Sequence, residues 1–357
     1  ECIRGVGTGS EAVAQAAKGA AALIARLHAG GLVEGVLGLG GSAGTTIATA
    51  AMRALPLGVP KLMVSTLASG QVRPYVGDKD ILMLNSVVDI AGLNRISRMI
   101  LDQAARAMAG LVSRAIPDAP EAPTDRPIVA ATMFGVTTPC VQRARNVLEE
   151  AGYEVLIFHA TGNGGQAMES LIHDGLIAGV LDITTTELAD ELVGGILSAG
   201  PDRLTAAGRK GVPQVISVGA TDMVNFGPPE TIPERFRGRR FYQHNPTVTL
   251  MRTTPEESAR LGELIARRAA AAAGPTVIVL PLHGLSAIDG QGRPFDDPQA
   301  RRALFDAIRR HRGSVPLLEL DCHINDAAFA ERAARTLIEL MRTPPPTTEL
   351  PPDDSTG

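Results

Sequence analysis

The sequence predicts an α/β protein of two subdomains with mostly parallel sheets. Three observations carry this expectation. Short β-branched runs give way to Gly- or Ser/Thr-rich turns and then to helices with apolar residues three and four apart, which is the alternation of a parallel α/β fold. The alternation runs twice along the chain. Between the two runs Pro117, Pro120, Pro123 and Pro127 stand among Asp118, Glu121 and Asp125, a proline-dense charged stretch that reads as a linker. The expected boundaries are an N-terminal subdomain over 1–120, a C-terminal subdomain over 127–342 and a disordered Pro-rich tail over 343–357.

In the first run, Ala12 to Leu27 reads as an Ala-rich helix and Val33 to Leu39 as a buried strand. A glycine-rich loop opens a helix to Leu55. Lys61 to Ser65 and Asp80 to Asn85 read as strands, and Asn94 to Ile116 as a long helix. In the second run, Ile128 to Met133 is a strand. Thr138 caps a helix whose first position is Pro139, with Val141, Ala144, Leu148 and Ala151 on one face. Further strands are expected at Tyr153–Phe158, Ile177–Ile183, Val212–Val218, Thr276–Leu280 and Val315–Leu320. Gln166 to Asp174 is a helix. Thr254-Pro255-Glu256-Glu257 is a capping box opening another helix. The last helix carries Phe329, Ala333, Leu337 and Met341 on one face. Asn225 to Tyr242, with three Pro and four Arg, reads as an excursion outside the core pattern.

Composition narrows the function. Hydrophobic residues make up 45% of the 357 and charged residues 20%, enough apolar content for a sizeable core. The formal net charge of −4 leaves no electrostatic footprint for nucleic acid as a partner. Cys2, Cys140 and Cys322 lie far apart with no CxxC, which excludes a disulfide framework and a cysteine zinc site. No apolar run reaches the ~18 residues of a membrane span, and no leader is recognisable, so the expectation is a cytoplasmic protein without a membrane partner.

In open α/β sheets ligands bind at the carboxyl ends of strands. The first such end is Gly40-Gly41-Ser42-Ala43-Gly44-Thr45-Thr46, where glycines admit an anion to the backbone and Ser42, Thr45 and Thr46 offer hydroxyls. The same glycines would also serve tight strand–helix packing. Ser65-Thr66 ends the next strand, where a dinucleotide site would want an acid. Gly135, Thr137 and Thr138 follow the first strand of the second half. Thr161-Gly162-Asn163-Gly164-Gly165 follows the second, a further cradle of backbone donors. Asp182 ends a strand beside Thr184, Thr185 and Thr186, and either binds magnesium or caps the helix starting at Glu187. Gly219-Ala220-Thr221-Asp222, His283-Gly284-Leu285-Ser286 and Glu319-Leu320-Asp321-Cys322-His323 end the remaining strands. At least six strand ends thus carry small or polar residues, and two facing α/β domains would gather them in one cleft.

At these residues the chain resembles the ATP-binding domain family of the tomato mosaic virus resistance protein, whose bacterial members form an uncharacterised family. Gly38 to Thr45, Leu55 to Lys61, Ser65 to Gly70, Ser86 to Asn94, His159 to Gly165, Asp182 to Glu187, His244-Asn245-Pro246 and His323 to Asp326 carry the resemblance. It implies ATP as ligand with magnesium, two Rossmann-like subdomains and a homodimer. Family members begin with an additional strand bearing Gly-Thr and an acid, which is expected to be missing ahead of Glu1. With only four Lys among 34 basic residues, a triphosphate must be offset by backbone N–H groups, Arg and a metal ion. Asp182, then Asp222 and Glu319, are the candidate magnesium ligands. The alternative is a magnesium-dependent enzyme on a small phosphorylated or carboxylated metabolite, using Asp182, Glu187, His283, Glu319 or His323.

Overall fold

The structure, a computed structural model, describes residues 9–90, 92–113 and 126–342. The tail from Thr343 and most of the Pro117–Pro127 segment lie outside the described residues. The chain is α/β with mostly parallel sheets. It divides into two compact units, Glu1–Pro123 and Thr124–Gly357.

In the first unit the chain runs α1 (Gly9–Ala29), β1 (Val36–Gly40), α2 (Ser42–Arg53), β2 (Lys61–Ser65), α3 (Arg73–Val76), β3 (Leu82–Asn85) and α4 (Arg95–Val112). The strands form a parallel sheet in the order β1-β2-β3. Alternation sorts the central strand by face. Leu62 and Val64 pack with Leu84 against Ile100, Ala104 and Met108 of α4. On the other face a Cβ at Gly38 would lie 2.7 Å from Ala48 and 3.1 Å from Met52, so the missing side chain lets α2 press onto β1. The expected Asp80–Asn85 strand begins only at Leu82 because Asp80 is engaged elsewhere. Its carboxylate accepts from Lys61 Nζ at 2.7 Å and from the Gly58 N–H at 2.8 Å.

The second unit runs β4 (Ile128–Met133), α5 (Thr138–Glu150), β5 (Glu154–His159), α6 (Asn163–His173), β6 (Gly179–Thr184), α7 (Thr186–Val193), α8 (Ala206–Lys210), β7 (Gln214–Gly219), β8 (Met223–Phe226), β9 (Phe241–Asn245), β10 (Val248–Arg252), α9 (Pro255–Ala270), β11 (Thr276–Pro281), α10 (Pro298–His311), β12 (Leu317–Leu320) and α11 (Ala327–Arg342). Six parallel strands stand in the order β12-β11-β7-β6-β4-β5. The order reverses between β4 and β6, as in flavodoxin-like sheets. Successive residues serve opposite cores. Val215, Val277 and Val279 pack with α5 and α11 through Val141, Leu148, Phe329 and Leu337. Ile216, Ile278 and Leu280 pack with α9 and α10 through Leu261, Ile265, Leu304 and Ile308. Both faces are covered, so these strands read as unbroken apolar runs.

The Asn225–Tyr242 stretch is not merely an excursion. Its ends belong to a separate antiparallel sheet, β8-β10-β9. Pro228, Pro229 and Pro233 interrupt the sequence between strands of only four and five residues, and that hid their pairing.

Candidate functional site

The carboxyl edge of the six-stranded sheet holds most of the expected site residues, and it is closed from within. Arg203, fully buried, sits among three carboxylates. Its Nη1 and Nη2 donate to Asp182 Oδ2 and Oδ1 at 2.6 and 2.7 Å, and its Nε donates to Glu187 Oε2 at 2.7 Å. Glu169 lies 3.4 Å from Nη1 and accepts from the N–H groups of Leu204, Thr205 and Ala206 at the start of α8. Burial opposes the guanidinium charge, but the three carboxylates outweigh it and hold Arg203 above its ordinary pKa. Burial likewise pushes the Glu187 carboxyl upward, against the pull of Arg203.

Glu187 also explains the glycine loop after β5. Its Oε1 accepts from the N–H of Gly162 at 2.7 Å and of Gly165 at 3.0 Å. The backbone cradle expected to take phosphate therefore holds an internal carboxylate. A Cβ at Gly165 would lie 2.2 Å from that carboxylate, and one at Gly164 only 1.9 Å from the His159 carbonyl oxygen. These glycines are demanded by packing. Thr161 Oγ1 donates to the His159 carbonyl at 3.3 Å, and Asn163 is exposed at the start of α6.

Thr hydroxyls close the reversal point between β4 and β6. Thr137 Oγ1 lies 2.8 Å from Thr184 Oγ1, which donates to the Thr132 carbonyl, and Thr185 Oγ1 donates to the Ser217 carbonyl. Thr138 Oγ1 donates to the Phe134 carbonyl at 3.2 Å. Only Gly135 of this loop is exposed. Polar Thr in a buried strand is thus satisfied by its neighbours.

Of the three expected magnesium ligands, Asp182 and Glu319 are paired with arginines, while Asp222 keeps one buried oxygen without a hydrogen-bond partner. Both Asp182 oxygens are taken by Arg203, and Oδ1 also accepts from Thr132 Oγ1 at 2.7 Å. Glu319 pairs with Arg309 at the surface. Asp222 is fully buried beside Asp289, and its Oδ2 accepts from Ser286 Oγ at 2.8 Å. Among the described residues no three His, Cys, Asp or Glu converge in a way that could hold a metal ion. The residues of the enzymatic alternative are similarly engaged. His323 Nε2 lies 3.0 Å from the carbonyls of Ser286 and Asp289, while its Nδ1 accepts from the Asn325 N–H at 3.1 Å. His283 pairs with Asp321 at 2.8 Å on the exposed rim.

The Asp222–Asp289 pair is a second buried electrostatic centre outside the Arg203 hub. Burial, then repulsion from Asp289, raises Asp222 to about 7, although Arg252 beside it opposes the rise. Asp289 is also raised by burial, against Arg252 and Arg301. Burial takes Asp190, enclosed by the N–H groups of Leu197 and Asn225, to about 7 as well. An unfolded Asp titrates near ~3.9. Between these values the native state holds protons that the unfolded chain has lost, so stability falls as pH rises. The melting temperature is expected to drop from pH 5 to pH 8, and Asp222→Asn to flatten that slope. A wild-type melting curve that rises over this window would refute the assignment.

The first unit presents the opposite picture. At the carboxyl ends of β2 and β3 a cavity of about 240 Å³ is lined by Thr66, Asn85, Ser86, Val87, Val88 and Asp89. Beside it α2 opens from its N-cap Gly41 with no side-chain cap, so no capping side chain takes its first N–H groups. A Cβ on Gly41 would lie 3.6 Å from Thr66 Oγ1 and meet nothing nearer. Ser42 is exposed there. The other expected residues of this loop support it from below. Thr45 Oγ1 and Ser65 Oγ are 2.7 Å apart in the interior, and Thr46 Oγ1 donates back to the Ser42 carbonyl. Gly40 and Gly44 touch, a Cβ on Gly40 lying 2.8 Å from Gly44 Cα. Val87 is two-thirds exposed with φ +63°, a left-handed conformation that a β-branched residue rarely adopts. Sequence reasoning drew on Ser86 to Val88 for the resemblance alone and gave Asn85 to Val88 no place in a site, because no residue type there marks a ligand. It also missed Arg203, Asp190 and Asn225, which only the fold brings to their partners.

Among the described residues no helix is long and apolar enough to cross a membrane. Models of the uncharacterised protein family UPF0261 match residues 5–117 with the family's N-terminal domain and 126–341 with its C-terminal domain. A UPF0261 protein of Clostridium tetani is 52% identical over 91% of this chain and 80% of its own length. One of Mesorhizobium japonicum is 50% identical over 85% of this chain and 76% of its own. The ToMV resistance protein Tm-1(GCR237) of Solanum lycopersicum is 44% identical over 86% of this chain, which spans 42% of the tomato protein. Matched over both of its units, the chain belongs to the uncharacterised protein family UPF0261.

Proposed function

We propose that the protein binds a nucleotide, ATP, in its first unit, with phosphate on the opening turn of α2 and the remainder toward the cavity at the ends of β2 and β3. The observation that carries this reading is that cavity, with Thr66 on its wall beside the uncapped Gly41. Backbone N–H groups and the partial positive charge of a helix start attract phosphate without any lysine. No acid stands in the first turn of α2. The resemblance of the Gly38–Thr45 and Ser86–Asn94 strings to an ATP-binding domain points the same way. This reading assigns magnesium no ligand among Asp182, Asp222 and Glu319, because all three belong to the second unit and Asp182 is held by Arg203.

Gly41→Val tests it. Gly41 has φ −80° and ψ −156°, extended backbone open to valine, and the added carbons point toward Thr66. Losing a glycine cap costs roughly 1 kcal/mol at most. Calorimetric titration is expected to show ATP binding to the wild type and at least about tenfold weaker binding to the variant, with melting shifted little. Equal affinities would overturn the reading, as would the lack of any binding to the wild type.

A further inference from the structure

We infer that Asp89 accepts the ribose hydroxyls of the bound nucleotide, so that the site takes ribonucleotides in preference to deoxyribonucleotides. This rests on the nucleotide reading of the first unit and adds the sugar to it. When phosphate sits at the helix start after one strand of an open parallel sheet, the sugar lies over neighbouring strand ends, and an acid there accepts from its hydroxyl. Here β2 ends in Ser65-Thr66 and supplies no acid. The acid stands one strand further on. Asp89 follows β3 and lines the same 240 Å³ cavity as Thr66. That volume is below the ~300–1,000 Å³ of sites that enclose a whole drug-sized ligand, so it suits a sugar-sized part with the remainder outside.

The stretch leading to Asp89 is preset. The Val87 N–H donates to Asn85 Oδ1 at 3.2 Å, the Val88 N–H to the Ser86 carbonyl at 2.7 Å, and Ser86 Oγ to the Val88 carbonyl at 2.7 Å. These bonds hold Val87 in its left-handed conformation. Asp89 itself is exposed, and its Oδ1 accepts from the Ile90 N–H at 2.8 Å. A carboxylate only accepts hydrogen bonds, which matches the two donors of a ribose diol. The site therefore divides its chemistry. Donors without acids stand at α2, and an acid stands on the wall of the cavity, where hydroxyls rather than phosphates would lie.

Calorimetric titrations of the wild type and Asp89→Ala with ATP, 2′-deoxyATP and 3′-deoxyATP test this. A hydrogen bond to a charged group corresponds to about tenfold or more in affinity. The wild type is expected to bind at least one deoxy form about tenfold more weakly than ATP. Asp89→Ala is expected to bind all three alike, near the wild-type level for the weaker deoxy form, with its ligand-free melting temperature unchanged. If the wild type binds all three within about twofold, the ribose assignment is wrong while the nucleotide reading stands. If it binds none of them, both fall.

Discussion

Replacing Arg203 with Met is expected to cost the protein about 5 kcal/mol of stability. The substitution keeps length and apolar volume but leaves Asp182 and Glu187 buried without their cation, and Glu169 beside them. Breaking a buried ion pair from one side costs about 3–5 kcal/mol, against a total of only ~5–15 kcal/mol for a domain. Here one guanidinium serves three acids, so the upper end applies. Urea denaturation reads the loss. Arg203→Lys is expected to fall between, because an ammonium cannot reproduce the paired 2.6 and 2.7 Å donation to Asp182. A loss below about 1 kcal/mol in Arg203→Met would mean that the hub is not what holds the carboxyl edge of the second sheet together.

The second large effect is expected at Gly164. An added Cβ would stand 1.9 Å from the His159 carbonyl oxygen, 2.7 Å from its carbon and 3.0 Å from its nitrogen. All three atoms are backbone, so no rotamer relieves the clash and either the end of β5 or the start of α6 must move. Overpacking typically costs about 1–3 kcal/mol, and Gly164→Ala is expected at or above the top of that range. Gly41→Ala is the control, since its Cβ meets only Thr66 Oγ1 at ordinary distance. It should lower stability by no more than about 1 kcal/mol. Comparable losses in the two variants, measured in urea, would contradict the distinction drawn between the loops.

That distinction marks how far the sequence could be read. Gly40-Gly41-Ser42-Ala43-Gly44 and Gly162-Asn163-Gly164-Gly165 look alike as strings, each following a strand and opening a helix. The alternation of elements is local, so the strands at Lys61–Ser65 and Ile128–Met133 emerge with their observed bounds. What fills a loop is not local. Glu187 reaches Gly162 and Gly165 across more than 20 residues of chain, and Arg203, in the turn ahead of α8, reaches Asp182 across 21. No spacing within the sequence encodes that meeting. Asp182 stands out in the sequence as an acid in a strand that reads as buried, but a buried carboxylate beside Thr residues is equally a metal ligand or half of an ion pair until its partner is known. The antiparallel β8-β10-β9 sheet was hidden for a related reason. Its pairing spans the proline-rich stretch between Phe226 and Phe241, and strands that short carry too little alternation to stand out.

Hydrogen exchange with and without ATP locates the ligand directly, because amides that donate to phosphate or lie under the sugar exchange more slowly when it is bound. ATP is expected to slow exchange in segments covering Gly41 to Thr46, Thr66 and Asn85 to Asp89, and to leave Thr161 to Gly165 unchanged. Slowing confined to Gly135–Thr138 or Thr161–Gly165, with the first unit unaffected, would contradict the assignment of the nucleotide to the first unit.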